Sequence, residues 1–303
     1  MTTALVVLNW RNAAGTVACL DSLKNITTPD VAVIVVDNGS GDDSVSVIRQ
    51  RHPDLTLLET GANLGYAGGN NVGIRYALEH GAAAVGVLNN DALADPAFLQ
   101  PLLATSQHAS HNAILTSMIC ETEEPEIIWA LGGRINWKTA ASQLLHAGEQ
   151  RAAWKDCAPH TVDFAIGTAL LAPRQVWEKA GLIDESFFLY YEETDWCVRA
   201  QRLGIPSVAV PASCVWHEAG AGGGRTSPQV TYYMTRNALR FLRRNLAGRR
   251  RILPLFRVAL RAHWHVLGDV RRGQTTRARA RMGGVYDFVR GKAGPRVGRP
   301  YEQ

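Results

Sequence analysis

Three short segments carry side chains that could do chemistry. The apolar run AAAVGVL closes with Asn89, Asn90 and Asp91. One carboxylate beside neutral amide oxygens is too sparse for an all-protein cation cage. It suits Mg2+ or Mn2+ held mainly by a substrate's phosphates. An Asx turn uses the same residue types, so this segment alone leaves both readings open. In YYEETDWCVRAQRLG, Glu192 and Glu193 stand beside Phe187, Phe188, Tyr190 and Tyr191. Adjacent carboxylates in an aromatic cleft suit general-base work on a hydroxyl, although acids in a first helical turn are also favoured by the helix dipole. Asp195 and Arg199, four residues apart, are expected to pair with each other. In VDNGSGDDS, Asp37 ends a buried run, where its carboxylate can accept N–H groups from a base or from backbone, while Asp42, Asp43 and Ser44 read as turn and cap residues. His217 is a lone histidine after an apolar segment and needs a partner before it counts as a metal ligand.

The elements that must position these residues are legible from pattern. ALVVLNW (4–10), VAVIVVDN (31–38), LTLLET (55–60) and AAAVGVLNN (82–90) are short, nearly continuous apolar runs, as expected of strands covered on both faces. TVACLDSLKN, DSVSVIRQRH and NNVGIRYALEHG alternate with them as helices, the last stopped by Gly81. This alternation predicts a parallel α/β sheet flanked by helices, with ligands beyond the carboxyl ends of the strands. The four ends read LNWRN, VDNGSGDDS, ETGANLGYAGGNN and LNNDALADP, all polar or glycine-rich. Further on, WALGGRINW suggests a β excursion. Next come a strand over 162–172, a helix over 173–180, a helix stopped by Gly204 and a strand into Pro211. Ser227 and Pro228 fit N-cap and N1 positions, the glycine-rich AGAGGGR before them reads as a mobile loop, and Pro254 suggests another helix start.

Several classes are excluded. The first strand lacks G-x-G-x-x-G after it, and no P-loop motif occurs. Gly68 and Gly69 cluster instead after the third strand, where bare backbone would let a ligand approach closely, although a plain helix-entry turn accounts for them equally well. Five cysteines without a C-x-x-C give neither a disulfide framework nor a thiolate zinc site, which suggests a reducing cytoplasm. The N-terminus reads directly as a strand, so no signal peptide is expected. No apolar run approaches the ~20 residues that span a bilayer. Charge is lopsided: residues 225–303 hold 18 Arg and one Lys against three acids, net +16, whereas residues 1–224 hold 13 bases and 24 acids, net −11.

LVVLNW with CLDSL, then VDNGSGDDS, NLGYAGGNNVGI, LNNDALADP, the block VDFAIGTALLAPRQVWEKAGLIDESFFLYYEETDWCVRAQRLG and VPASCVWHEAG resemble, in this order and spacing, the inverting family 2 glycosyltransferases of GT-A fold, especially rhamnosyltransferase-like members. The match covers roughly residues 4–245. The resemblance implies transfer of a sugar, rhamnose among the candidates, from a dTDP- or UDP-sugar to a glycan or lipid-linked acceptor in cell-surface polysaccharide or glycolipid assembly, with Mg2+ or Mn2+. Asn9 and Asp37 would meet the nucleoside, and Asn63, Gly68, Asn70 and Asn90 would line the donor pocket. Asp91 matches the last acid of the family's Asp-x-Asp signature, whose first acid is Asn89 here. His217 matches a histidine near the metal. Glu193 would be the base with Glu192 in reserve, and Arg236, beside Asn237, would hold phosphate.

The implied organisation is a GT-A catalytic domain over 1–224, divided into a nucleotide-sugar half (1–117) and an acceptor half (118–224), followed by a basic helical extension over 225–303. In the extension, Val230, Met234, Ala238, Phe241 and Leu242 mark one face of a helix and Arg236, Arg240, Arg243 and Arg244 another. Together with Arg249, Arg250, Arg251, Arg257, Arg261, Arg271 and Arg272, this pattern suits a surface lying on anionic lipid, with a solvated charged face and a nucleic-acid site as the alternatives. The lipid-linked acceptors that the family resemblance implies favour a peripheral enzyme at the cytoplasmic face of the membrane. The competing functional classes are a nucleotidyltransferase, which would need a basic glycine-rich phosphate loop after the first strand, and a non-catalytic nucleotide-sugar-binding module.

Overall fold

The central apolar runs become buried strands, whereas LTLLET, at the edge of the sheet, is only partly buried. A computed structural model describes residues 2–108, 112–218 and 227–296. In it, β1 (Thr3–Asn9), α1 (Ala13–Leu23), β2 (Val31–Asp37), α2 (Ser44–Arg51), β3 (Thr56–Glu59), α3 (Gly65–Glu79) and β4 (Ala84–Asn89) alternate as the pattern predicts. The four strands are parallel, in the order β3-β2-β1-β4. Leu5, Val6, Val7, Val35, Val36, Val85 and Val87 are buried along them. Each such side chain withdrawn from water contributes about 1.5–3 kcal/mol to folding.

The second half continues the same sheet rather than building another. It adds β5 (Ala92–Ala94), α4 (Leu99–His108), β6 (Ile114–Glu121), β7 (Ile128–Ala130), β8 (Gly133–Asn136), β9 (Ala141–Leu144), β10 (His160–Val162), β11 (Ala169–Pro173), α5 (Arg174–Ala180), α6 (Glu192–Arg202) and β12 (Ser207–His217). The order runs β10-β12-β6-β11-β4-β1-β2-β3, with β5 on β12 and β7 on β6, while β8 and β9 form a separate hairpin. Residues 117 and 118, the expected border between halves, lie inside β6. Backbone pairs cross from one half to the other at β4 and β11.

Three expectations change. The single strand over 162–172 is two strands, because the intervening chain turns aside: Asp163 accepts the Ile135 N–H at 2.7 Å and Phe164 bridges to Gly133. The third helix begins at Gly65, not Asn70, so Gly68 and Gly69 lie inside it. A side chain at Gly69 would collide with Leu8, so the bare backbone there lets α3 lie close over β1. The third change concerns α7 (Pro228–Asn245), which precedes α8 (Ile252–Arg271) and α9 (Thr275–Val289). Ser227 caps α7 by accepting the Val230 N–H, and Pro228 follows at its start, as predicted. Yet its apolar face is not available to lipid: Ala238, Leu239, Phe241 and Leu242 belong to the main core. The AGAGGGR segment, with the expected 224/225 border, lies outside the described residues.

Candidate active site

Register brings the polar strand ends together. Asn9 pairs with Asp37 across β1 and β2, and Leu8 pairs with Asn89 across β1 and β4, so the three polar termini share one rim. A hydrogen-bonded chain links them. Asn9 Nδ2 donates to Asp37 Oδ1 at 2.7 Å, Thr16 Oγ1 donates to Asn9 Oδ1 at 2.7 Å, and Asn90 Nδ2 donates to Thr16 Oγ1 at 2.9 Å. Ser40 closes the other end, its backbone N–H and hydroxyl both donating to the Asp37 carboxylate. Asp37 and Asn9 are almost fully buried, so this chain forms the floor of the rim. Beside it, Asn63 accepts from Asn38 and from the Gly65 N–H. Asn70, fully buried, donates to the Tyr66 carbonyl while its Oδ1 has no hydrogen-bond partner. Gly68, in the first turns of α3, lies against Leu64.

Asp91 and His217, 126 positions apart in sequence, meet because β5 follows Asp91 immediately and pairs antiparallel with the end of β12, Ala92 opposite His217. His217 Nε2 stands 3.1 Å from Asp91 Oδ1. Asp91 Oδ1 and His217 Nδ1 are nevertheless buried without a hydrogen-bond partner. The converging atoms, Asp91 Oδ1 and His217 Nε2, form an ion-pair contact that suits a divalent cation whose remaining ligands come from diphosphate and water, while Nδ1 is the ring's other, unpartnered nitrogen. Among the described residues no group of three or more His, Cys, Asp or Glu could hold a metal by itself, so the donor set fits that shared arrangement and not a closed cage. Trp129 of β7 packs a tilted ring 5.3 Å from the His217 ring and limits its rotation.

The glutamate pair reaches the same rim on a strained loop. Phe188, Tyr190 and Tyr191 adopt positive φ of 68°, 67° and 73°. Side chains resist this region at a cost of about 1–3 kcal/mol each, so the surroundings must hold them. Asn237 Nδ2 lies 2.7–2.9 Å from the carbonyls of Phe187, Leu189 and Tyr190, the Tyr66 N–H donates to the Phe188 carbonyl, and the Tyr191 hydroxyl donates to the Ala140 carbonyl. The left-handed Tyr191 then starts α6, which opens with Glu192 and Glu193. Asp195 and Arg199 pair at 3.2 Å, as expected.

Tyr66 ties the pair to the metal-type site. Its hydroxyl donates to the Gly167 carbonyl at 2.6 Å, and a Cβ added to Gly167 would stand 3.5 Å from Glu193 Cγ. Burial above all, then the charges of Glu193, Glu192 and Asp91, pushes the phenol of the partly buried Tyr66 well above its ordinary value. Glu192 is 3% exposed with Oε2 unpartnered. Burial first, and the Glu193 charge second, raises its carboxyl well above the ordinary range. Glu193 is partly exposed and is raised by burial against the helix-start N–H groups of its own residue and Thr194, which lower it. Adjacent carboxylates do not both ionise cheaply, and the more deeply buried one yields, which leaves Glu193 as the ionised member.

Arg236 does not stand free at this rim. It is 1% exposed, and Nε, Nη1 and Nη2 donate to Asn237 Oδ1, the Gly294 carbonyl and the Phe187 carbonyl, with the guanidinium over the Tyr232 and Tyr233 rings. Here it clasps the glutamate loop and the chain after α9. Pattern reading also passed over Thr16, Ser40, Tyr66 and Trp129. Tyr66, the one aromatic in the glycine-rich NLGYAGGNN, was the only one with a local signal.

Comparison with known proteins bears on this arrangement. A family model described as glycosyl transferase family 2 matches residues 5–161. The chain is 30% identical over 234 residues to an N-acetylglucosaminyl-diphospho-decaprenol L-rhamnosyltransferase of Mycobacterium tuberculosis, covering 68% of this chain and 72% of the relative. It is 27% identical over 224 residues to the dTDP-rhamnosyl transferase RfbF of Shigella flexneri, covering 70% and 71%. Against the low-salt glycan biosynthesis hexosyltransferase Agl10 of Haloferax volcanii identity is 28% over 211 residues, covering 67% of this chain but only 62% of that relative's length. Among solved structures, GalNAc-T7 with UDP, GalNAc and Mn2+ superposes with TM-score 0.64 at 15% identity over 80% of this chain and 48% of its own. The mannosyltransferase PcManGT of Pyrobaculum calidifontis, in complex with GDP-Man and Mn2+, gives 0.57 at 16% identity over 96% and 87%. The fold is the GT-A type, a mostly parallel sheet flanked by helices with a helical C-terminal region.

Proposed function

Because the chain belongs to glycosyl transferase family 2, we propose that it moves a sugar from a nucleoside diphosphate sugar to an acceptor hydroxyl with inversion at the anomeric carbon. The observation that carries this reading is the Asp91–His217 pair at the strand-end rim, with Glu193 lying beside Gly167, whose carbonyl accepts the Tyr66 hydroxyl. The relatives named for dTDP-rhamnosyl transfer and for a decaprenol-linked acceptor favour a dTDP-sugar donor, with UDP as the alternative nucleotide, and a glycan or lipid-linked acceptor.

Asn9, Asp37 and Asn63 form the nucleoside end of the donor pocket, and Gly68, Asn70 and Asn90 its wall. Asp91 and His217 would hold Mg2+ or Mn2+, which when bound neutralises charge on the departing diphosphate. Glu193 accepts the acceptor hydroxyl's proton as that oxygen attacks the anomeric carbon and the bond to the diphosphate oxygen breaks. Glu192, held towards its protonated form, keeps a second negative charge away from the nucleophile. The Tyr66–Gly167 bond and the clasp of Arg236 and Asn237 on the loop fix the direction of approach; Arg236 acts through that loop in this reading, not on phosphate.

Nucleoside diphosphate release measured over a panel of nucleotide sugars, with and without Mn2+, tests the class. Glu193→Gln is expected to lower kcat about 10²–10⁴-fold while donor binding is retained. Full turnover in that variant would remove Glu193 as the base, and donor binding without turnover in the wild type would reduce the chain to a binding module. Since Glu193 is raised, the acid limb of kcat/KM is expected above the ordinary Glu value of 4.5.

A further inference from the structure

α8 leaves an apolar stripe in solvent. Ile252, Phe256 and Trp264 are 62%, 62% and 63% exposed, and Leu253 and Leu260 are exposed beside them. At 3.6 residues per turn these five occupy an arc of about 120° along the first two thirds of the helix, from Ile252 to Trp264. The helix cannot rotate the stripe inward. Val258 and Ala262, on the opposite side, are buried, and Asp269 near its end is held by Arg272 and by Arg281 of α9.

The charges around the stripe are of one sign. From Gly248 to Gly268 the sequence holds Arg249, Arg250, Arg251, Arg257 and Arg261 and no acid. Arg261 is engaged with the Thr139 carbonyl. Arg249, Arg250 and Arg251 form the turn entering α8, whose first turn carries no acid to offset them. Cations at the positive end of a helix dipole are locally unfavourable, and an anionic surface outside the protein relieves that conflict. An apolar arc with an aromatic pair, edged by exposed arginines, is the pattern of a helix lying in the interface of an anionic bilayer. No helix of the described residues is long and apolar enough to cross a membrane, so the contact is lateral.

We propose that α8 docks the protein on an anionic lipid surface, with Leu253, Phe256, Leu260 and Trp264 entering the headgroup–acyl boundary and Arg249, Arg250, Arg251 and Arg257 meeting lipid phosphates. The helix that would rest on lipid is also tied to the candidate base: Arg261 donates to Thr139, the adjacent Ala140 accepts the Tyr191 hydroxyl, and Tyr191 starts the helix that bears Glu193. A hydroxyl presented at the membrane surface thus has a short structural path to the rim. Docking goes beyond the transfer reading and stands without it, because vesicle binding needs neither donor nor acceptor.

The test is co-sedimentation of the full chain with vesicles of phosphatidylcholine alone or mixed with phosphatidylglycerol. Binding is expected only to the anionic vesicles and should weaken as salt rises. The double variant Phe256→Ser/Trp264→Ser should lose at least about tenfold in partitioning. Arg250→Ala, Arg251→Ala and Arg257→Ala should each lose about fivefold. Both sets should keep the wild-type melting temperature. Quenching of tryptophan emission by acyl-brominated lipid should fall in Trp264→Leu. Equal binding to neutral vesicles, or binding indifferent to these substitutions, would overturn the proposal. So would self-association without vesicles that the double variant abolishes, since a second copy would then cover the stripe.

Discussion

α7 and α8 are neighbouring, arginine-rich amphipathic helices, and the fold treats them in opposite ways. α7 buries its apolar face: Leu239, Phe241 and Leu242 are at most 1% exposed, and even Arg236 is withdrawn from water. α8 presents Phe256 and Trp264 to solvent and buries only a narrow edge. Amphipathic pattern states that a face must leave water but not where it goes. α7 finds the main core and the carbonyls of a strained loop, which accept from Arg236 and Asn237. Among the described residues α8 finds a partner for one edge only.

The contrast is sharpest at matched aromatics. Phe241→Ala should cost about 3–5 kcal/mol in a denaturant melt, because it empties a packed site. Arg236→Ala comes next, at about 2–4 kcal/mol, since it takes the donor from the Gly294 carbonyl and one of two donors from the Phe187 carbonyl and empties a buried site. Asn237→Ala should cost about 1–2 kcal/mol and, by loosening the loop, lower kcat more than it raises KM. An unchanged kcat would show that α7 supports the fold without supporting Glu193.

Glu192→Gln has a smaller, pH-dependent effect. Its folded-state pKa is raised, so the stability this group contributes is complete below the ordinary Glu range and is lost as pH climbs through the raised value. The glutamine variant should match the wild type in acid and exceed it at neutral and alkaline pH in a melting series. A gain that grew towards acid would reverse the sign and refute the buried, protonated Glu192. Smallest of all, Phe256→Ser should change stability by no more than about 0.5 kcal/mol. If it cost as much as Phe241→Ala, the two helices would not differ as described.

Legibility in the sequence followed the same division. The four N-terminal strands and their polar ends were plain, because continuous apolar runs bounded by Asn, Asp and Gly have few other solutions in a parallel sheet. Glu192 and Glu193 at a helix start, and the Ser227–Pro228 entry to α7, were likewise local signals. The break between β10 and β11 was not, because it depends on Asp163 and Phe164 meeting β8 from nearly thirty residues away. The burial of Arg236 was not legible either, because its acceptors, the Phe187 and Gly294 carbonyls, are distant in sequence.

By itself, the sequence determined the α/β alternation, the carboxyl-end rim and the residue types gathered there, since strand period, helix caps and turn chemistry act over a few residues. Only the tertiary structure decided that Asp91 meets His217 across β5 and β12, that Tyr66 bonds to Gly167 beside Glu193, that three left-handed residues aim the glutamates, and which arginine-rich helix is buried. Each depends on contacts between distant segments, and the burial that raises a carboxyl or hides a guanidinium exists only once the chain has closed around it.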